Sequence, residues 1–392
     1  MGSLPTWFPQ HEQEIIQRVQ SLDPYPFDQP SDCSGYLSCH QNDYLRLSNH
    51  PEVAQARNKA TLETGSGAMA SLIYGGDHGY HQKFSTRVAQ AAQCSSPACV
   101  MIMTAGWTAN VGVMEAVVMP DMPIYIDQNA HASLWDGARL SPGKLIPVRH
   151  NRPDQMEQYI RKYGAGVIVV DAFYSTHGSV APLSGYVDLA EKYDCLLVVD
   201  EAHSFALVGK NGGGLCVEMG LADRVHIRTV SLAKGLGGSG GLLLLHNDLH
   251  RYLAHRLRSL IFSSAPPPST SAGNEKAMEI VMREPQRLAR TQQRAAQLRT
   301  LFNENGVDTG PSGCQIVSLM FPGDREACRL YGALKKRGIL FSVFLFPAVP
   351  KNMGLARFSI YTDLTEKDID YIAATTIEEM HNLGIQSKYP GK

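Results

Sequence analysis

Several features that mark other protein classes are missing from this sequence. No apolar run approaches the roughly 20 residues that a helix needs to cross a bilayer, which argues against an integral membrane protein. The 36 lysines and arginines nearly balance the 37 aspartates and glutamates without any basic block, so nucleic-acid binding is not expected. Residues 1–10 lack a basic stretch followed by an apolar one, so no signal peptide is expected.

Cysteine is present, but its spacing does not suit a metal. Cys94 and Cys99 enclose four residues and no second pair matches them, so we expect no metal site. Reduced thiols are typical of a cytoplasmic protein, and the scattered cysteines therefore favour a cytoplasmic location.

A chain of 392 residues exceeds the usual size of a single core, so more than one domain is expected. Apolar spacing over residues 11–22 predicts a helix within an N-terminal arm, residues 1–45. Alternating strand and helix patterns predict an α/β domain with a mostly parallel sheet over residues 46–275. A strand–helix–strand pattern predicts a smaller α+β domain, to which we assign residues 276–392.

The stretch that organises the chain begins with a buried strand. Leu196 to Val199 is short and apolar, and Asp200 ends it. A carboxylate at the carboxyl end of such a strand lies where open α/β sheets bind ligands. His203 follows shortly, and Lys234 comes after a second candidate strand, Val225 to Ser231.

This ordered set predicts pyridoxal phosphate chemistry. The cofactor needs a lysine amine for a Schiff base and an acid that keeps its ring nitrogen protonated, so that the ring can accept electrons. Lys234 and Asp200 are the candidates. A free lysine has a pKa of about 10.4, which burial must lower to give a nucleophile. The alternative is a capping Asp200, a surface His203 and a solvated Lys234, and the order of the set argues against it.

Other candidates also follow predicted strands. Gly106 and Trp107 open a helix after a strand, where backbone amides can bind the cofactor phosphate. His131 is placed to lie against a planar ring, and Ser175 to reach the cofactor. Arg357 is a lone charge in an apolar strand and offers a fork for a carboxylate, the alternative being a strand-end arginine facing water.

Three further expectations concern connecting segments. The glycine-rich run Gly65 to Gly79 lacks a Gly-Lys-Ser/Thr ending and is predicted to be a loop bordering the substrate site. Leu249 to Leu260 is predicted to be one helix, followed by a rigid segment Phe262 to Pro268. One long helix is predicted over roughly Ala272 to Asn305. Leu72-Ile73-Tyr74 and the aromatic run Phe341 to Phe346 are the candidate lining of an apolar channel, the alternative being that these aromatic residues are ordinary core of the smaller domain.

The motifs together resemble a known enzyme family. From Asn42-Asp43-Tyr44-Leu45 to Arg357, the chain looks like a fold-type I pyridoxal phosphate enzyme of the α-oxoamine synthase family. Within that family it most resembles the synthases of α-hydroxyketone quorum-sensing autoinducers, through three stretches: residues 106–112, 131–139 and 341–344. The resemblance implies a large cofactor-binding domain over residues 46–275 and a homodimer with shared active sites.

The resemblance also implies a role for each candidate residue. Lys234 would carry the cofactor, Asp200 would pair with the ring nitrogen, and His203 would contact the ring hydroxyl. His131 would stack on the ring, and these four residues form the expected catalytic set. The other implied cofactor contacts are Gly106, Trp107, Ser175 and Ser231 in one chain, with Ser263 or Ser264 reaching the phosphate of the neighbouring subunit. Asn42 and Arg357 would hold the amino-acid carboxylate.

Two departures from the family pattern concern the substrate rather than the cofactor. The family usually reads Gly-Ser-Arg where this chain has Met69-Ala70-Ser71, and a glycine where it has Arg46. The expected reaction condenses an acyl-CoA of medium chain length with a donor of the 2-aminobutyrate or S-adenosylmethionine type, giving an α-aminoketone precursor of an autoinducer. The alternatives are an 8-amino-7-oxononanoate synthase or 2-amino-3-ketobutyrate CoA ligase type enzyme using alanine or glycine, an aminotransferase, and a catalytically silent regulatory protein of the same fold.

Overall fold

The computed structural model describes residues 32–389 together with residues 5, 7, 8, 13, 22 and 30. The helix predicted over residues 11–22 lies outside these residues except for Gln13 and Leu22. Leu22 is buried against the core of the smaller sheet.

The strands fall into two sheets. In chain order they are β1 Leu37–Cys39, β2 Val100–Met103, β3 Pro123–Asp127, β4 Lys144–Val148, β5 Val167–Asp171, β6 Leu196–Asp200, β7 Ile227–Ser231, β8 Gly241–Leu245, β9 Ile316–Phe321, β10 Ile339–Phe344 and β11 Gly354–Ser359. The large sheet has the order β2-β8-β7-β6-β5-β3-β4, and the small sheet has the order β1-β10-β11-β9.

Helices connect most of these strands. In chain order they are α1 Pro51–Thr64, α2 Gly79–Ala92, α3 Gly106–Val117, α4 Ala132–Leu140, α5 Pro153–Tyr163, α6 Leu183–Tyr193, α7 Leu215–Glu218, α8 Leu249–Arg256, α9 Arg258–Ile261, α10 Pro268–Arg283, α11 Gln286–Glu304, α12 Asp324–Lys336 and α13 Glu366–Leu383. Among the described residues, no helix is both long and apolar enough to span a membrane.

The large sheet is parallel except at one strand. β3, β4, β5, β6 and β7 pair in parallel, whereas β8 runs antiparallel between β7 and β2. Every residue of β5 and β8 is buried, which is why these strands read as continuous apolar runs. The predicted α/β architecture with a mostly parallel sheet is confirmed. Its parallel strands present their carboxyl ends at one edge, and that edge carries the site.

Two helix predictions were wrong. The long helix predicted over 272–305 is two helices, α10 and α11, and α10 already begins at Pro268. The break falls at Glu284-Pro285, because proline lacks a backbone N–H and disfavours helical geometry in the residue before it; Glu284 has φ −122° and ψ 61°. The helix predicted over 249–260 likewise divides into α8 and α9, at Leu257 with ψ 89°.

The division at residues 45 and 275 stays a prediction. β1 lies within the predicted arm and pairs in parallel with β10 of the small sheet. α10 runs continuously across residue 275 and packs against α1 and α2.

The described residues contain no group of three or more histidine, cysteine, aspartate or glutamate side chains arranged to hold a metal ion. All eight cysteines are free thiols.

Candidate active site

A cavity of about 150 Å³ opens at the carboxyl edge of the large sheet. It is lined by Gly106, Trp107, Asn110, His131, Ser133, Asp200, Ala202, Thr229, Val230, Ser231 and Lys234. Six of the residues selected from the sequence therefore meet in one place, although they come from four separate segments of the chain.

Asp200 ends β6, and both of its carboxylate oxygens accept hydrogen bonds. Oδ1 accepts from the backbone N–H of Ala202 at 2.8 Å, and Oδ2 accepts from Nδ2 of Asn110 at 2.7 Å. The side chain is 4% exposed. These two bonds fix the direction of the carboxylate at the floor of the cavity.

Lys234 follows β7 in a loop of tight turns. Burial lowers the pKa of its amine, and the nearby carboxylates of Asp200 and Asp171 oppose that effect. The loop packs closely beneath the segment that starts at Asn42: a Cβ on Gly237, whose φ is +59°, would lie 2.5 Å from the backbone nitrogen of Ser48. Glycine at 237 therefore permits both the left-handed conformation and the close approach.

His203 is buried beside the cavity. Its Nδ1 lies 3.0 Å from the hydroxyl of Tyr44, which also donates to Oδ1 of Asn42 at 3.1 Å. Burial, reinforced by the charges of Lys234 and Arg357, holds the pKa of His203 well below its ordinary value. The ring is consequently neutral at neutral pH.

His131 immediately precedes α4 and caps its first turn. Its Nδ1 accepts from the backbone N–H of Ser133 at 3.3 Å and lies 2.7 Å from the hydroxyl of the same residue. Trp107 meets the ring edge-on, with the ring centroids 6.0 Å apart. Burial lowers the pKa of His131, against the opposing charge of Asp200.

Arg357 is buried rather than facing water. On β11 it is 5% exposed, with Nη1 donating to the carbonyl oxygen of Ser175 at 2.9 Å and Nη2 to Oδ1 of Asn42 at 3.1 Å. Its guanidinium lies over the ring of Phe344 at 4.7 Å. Nε is buried and has no hydrogen-bond partner among the described residues, so donor capacity remains for a bound anion.

The start of α3 provides backbone donors for a phosphate at the cavity. Its first backbone N–H groups have no partner within the helix and carry its positive dipole end. A Cβ on Gly106 would lie 2.8 Å from Cβ of Ser231, so a side chain there would close the space between α3 and the end of β7. The hydroxyl of Thr229, which lines the same cavity, is buried and has no hydrogen-bond partner among the described residues. The phosphate site at the start of α3, the carboxylate of Asp200 and the amine of Lys234 together fit pyridoxal phosphate.

Ser263 and Ser264 are not brought to this cavity within the chain. They belong to the segment 262–267, which is held elsewhere: the N–H of Ala265 donates to the carbonyl of Ala70 at 2.8 Å, and Nε2 of His81 lies 2.8 Å from the carbonyl of Pro266. Their contact with a neighbouring subunit stays a prediction.

Several residues around the cavity were not predicted from the sequence to belong to the site. These are Tyr44, Asn110, Ser133, Asp171 and Thr229. Burial and the neighbouring Asp200 raise the pKa of Asp171 well above its ordinary value, and this side chain accepts from the N–H of His131 at 3.1 Å. Asn110 left a readable signal, since it lies one helical turn after Gly106 in the helix whose start was predicted to bind the phosphate.

Comparison with known proteins identifies the family. The model of the aminotransferase class I and II family matches residues 36–375. The chain belongs to this family. It is 35% identical over 348 residues to the CAI-1 autoinducer synthase of Vibrio campbellii, covering 89% of this chain and 87% of the relative. It is 34% identical over 338 residues to a putative 8-amino-7-oxononanoate synthase of Geobacillus kaustophilus, covering 85% and 86%.

A solved serine palmitoyltransferase from S. paucimobilis shares the fold of this family member. The TM-score is 0.89 at 22% identity, covering 96% of this chain and 98% of the other. The predicted family is thus confirmed: the protein is an α-oxoamine synthase and an acyltransferase, and its cofactor is pyridoxal 5′-phosphate.

Proposed function

We propose that this enzyme condenses a medium-chain acyl-CoA with an amino-acid donor of the 2-aminobutyrate or S-adenosylmethionine type. CoA leaves the attacked thioester, and loss of carbon dioxide, or another loss from the amino donor, leaves an α-aminoketone that serves as a precursor of a quorum-sensing autoinducer. The similarity to the Vibrio campbellii autoinducer synthase supports the product class.

The buried Arg357 is the observation that supports an amino acid as the donor. Its guanidinium is oriented by Ser175 and Asn42 and lies near Lys234, whose pKa it influences. A fixed, buried fork of this kind binds a carboxylate through two parallel hydrogen bonds. An amino acid held there by its carboxyl group has its α-carbon close to the lysine amine.

Lys234 is suited to move the α-proton. Because burial lowers the pKa of its amine, the neutral form needed for proton abstraction is easier to reach than in water. Pyridoxal phosphate supplies, when bound, a ring that accepts the electrons left by that proton. Asp200 is held by Ala202 and Asn110 in one orientation, and its carboxylate would hold the ring nitrogen of the cofactor in the protonated form.

The two histidines act as neutral groups around the cavity. His203 is fixed by the hydroxyl of Tyr44, and its other nitrogen would hold the ring hydroxyl of the cofactor. His131 and Trp107 both line the cavity, with their rings in edge-on contact. We assign to His131 the hydrogen bond to the oxyanion that forms when the donor carbon attacks the thioester.

The proposed acyl channel receives partial support from the strand β10. Phe341 belongs to the core of the small domain, in contact with Tyr331 and Phe358 at centroid distances of 5.6 and 5.0 Å. Phe344 instead packs on Arg357 beside the active site. The alternative of ordinary core therefore holds for Phe341, whereas Phe344 remains available to an acyl chain.

A product screen tests this function. Purified, cofactor-loaded enzyme is incubated with acetyl- to decanoyl-CoA, each combined with glycine, alanine, 2-aminobutyrate or S-adenosylmethionine, and products are identified by mass spectrometry. An aminoketone from octanoyl- or decanoyl-CoA with one of the last two donors supports the proposal. Turnover confined to alanine or glycine would instead assign the enzyme to the 8-amino-7-oxononanoate synthase or 2-amino-3-ketobutyrate CoA ligase type.

We also propose a homodimer in which Ser263 or Ser264 reaches the phosphate bound by the other subunit. The segment 262–267 is anchored after the serines at Ala265 and Pro266, and before them at Phe262, whose N–H donates to the carbonyl of Arg258 at 2.9 Å. Ser264 and the neighbouring Phe262 are exposed in the single chain, as residues of an interface would be.

A further inference from the structure

A chain of hydrogen bonds connects Asp200 with His131, two residues that line the cavity. Nδ2 of Asn110 donates to Asp200 at 2.7 Å and also to the hydroxyl of Ser133 at 2.9 Å, and that hydroxyl lies 2.7 Å from Nδ1 of His131. We call these four residues the Asn110 relay. Asn110 is 3% exposed and Ser133 is fully buried, so water does not compete for these bonds.

The direction of every bond in the relay is determined by chemistry. A carboxylate only accepts, so the amide nitrogen of Asn110 must face Asp200. The second amide N–H of Asn110 then donates to the hydroxyl oxygen of Ser133. The hydroxyl proton of Ser133 is left to donate to Nδ1 of His131. Nδ1 of His131 must therefore be unprotonated, and the backbone N–H of Ser133, which can only donate, points at the same atom.

We propose that Asn110 and Ser133 are positioning residues that hold the Asp200 carboxylate and fix His131 in the tautomer carrying its proton on Nε2. This inference rests on the proposed function, in which His131 donates to the oxyanion of the attacked thioester. With Nδ1 occupied, Nε2–H is the ring's donor to the cavity, and a donor is what a developing oxyanion requires.

The helix packing around the relay is shaped for this contact. Gly137 lies one turn after Ser133 on the same face of α4, and a Cβ there would lie 2.9 Å from Cα of Val111 and 3.1 Å from the carbonyl of Asn110. Without a side chain at 137, α4 approaches α3 closely enough for Ser133 to reach Asn110. The sequence therefore keeps a small residue at the point where the relay crosses between helices.

The relay also affects the protonation of His131. Both donors to Nδ1 stabilise the neutral ring, in the same direction as the burial that lowers the pKa of His131. The charged or titratable groups that face this ring are Asp136, Asp171, Asp200, His203 and Lys234. Because none of them changes in a Ser133 variant, a shift in the pKa of His131 reports the lost hydroxyl.

Ser133→Ala is the variant that tests the relay, with Ser141→Ala as its matched control. Ser141 is a second buried serine, directly after α4, whose hydroxyl donates to the carbonyl of Ala138 at 2.7 Å. In Ser133→Ala we expect the pKa of His131 to rise by about half a unit to one unit, with kcat/KM reduced about threefold to tenfold at neutral pH. The acidic limb of kcat/KM moves to higher pH by the same amount, and Ser141→Ala shows neither shift.

Histidine ¹⁵N NMR of the cofactor-loaded protein measures the tautomer and the pKa directly and needs no turnover. A wild-type spectrum with the proton on Nδ1 overturns the inference, whether or not the variant folds. An unchanged pKa in a folded Ser133→Ala protein also overturns it. If the spectra agree with the relay but no acyl-CoA is consumed, the proposed function fails while the relay stands.

Discussion

Replacing Arg357 by lysine separates carboxylate recognition from cofactor binding. The guanidinium is 5% exposed and is held by Ser175 and Asn42 at 2.9 and 3.1 Å. Lysine keeps the charge but presents one nitrogen instead of a fork, so the bound carboxylate loses at least one charge-assisted hydrogen bond, about 1.5–3 kcal/mol. This loss corresponds to an increase of about ten- to 150-fold in the KM for the amino donor.

Steady-state rates measured by release of the CoA thiol, with the amino donor varied at saturating acyl-CoA, give this KM. The visible absorbance of the cofactor is expected to be unchanged, since Arg357 does not line the cavity that holds it. Arg294→Lys is the matched control: Arg294 is an arginine of α11 with a carboxylate partner, Glu366 at 3.0 Å, and it does not line the cavity. An unchanged KM in a cofactor-loaded Arg357→Lys enzyme would refute the assignment of the carboxylate site.

The remaining predictions concern the cofactor, the subunits and the acyl chain. Purified enzyme is expected to be yellow and to lose its visible absorbance with borohydride, and a colourless Lys234→Ala protein that still turned over substrate would disprove this. Asp200→Asn keeps the size but removes the charge opposite the ring nitrogen, so turnover is expected to fall about a hundredfold or more, at about tenfold per pKa unit; near-normal turnover with cofactor bound contradicts the role. Mixing inactive Lys234→Ala chains with inactive Ser263→Ala/Ser264→Ala chains is expected to restore part of the activity, and no recovery after demonstrated subunit exchange counts against shared sites. Catalytic efficiency is expected to rise about three- to fourfold per CH₂ of the acyl group up to a limit, and a flat series from acetyl- to decanoyl-CoA rejects the medium-chain proposal.

Residues that follow strands could be found from the sequence, and residues that act across the fold could not. Asp200, Ser231 and Lys234 are encoded by one continuous stretch in which strands and polar ends alternate, so their meeting follows from parallel pairing. Asn110 is hydrogen-bonded to Asp200, 90 positions away, and Tyr44 is hydrogen-bonded to His203, 159 positions away. No local pattern specifies which helix turn or loop will lie beside which strand end.

The errors in the secondary structure predicted from the sequence have local causes. Pro285 was available as a signal, but the helical pattern on both sides of it favoured one long helix. The aromatic run at Phe341 was ambiguous because alternate side chains of β10 face different surroundings, the small-domain core for Phe341 and Arg357 for Phe344. A period of two residues shows that a strand has two faces, but it does not show which face lies beside a ligand.

The two halves of the site belong to different sheets. Arg357 is part of the small sheet, and Asn42 follows β1 of the same sheet, whereas Asp200 and Lys234 end strands or loops of the large sheet. In an α-amino acid the carboxyl carbon and the α-carbon are joined by a single bond of fixed length. A donor held by Arg357 at its carboxyl group and reacting with Lys234 at its α-carbon therefore bridges the two sheets. It can react only when the distance between the sheets matches its own length, and an amine without a carboxylate would not set that distance.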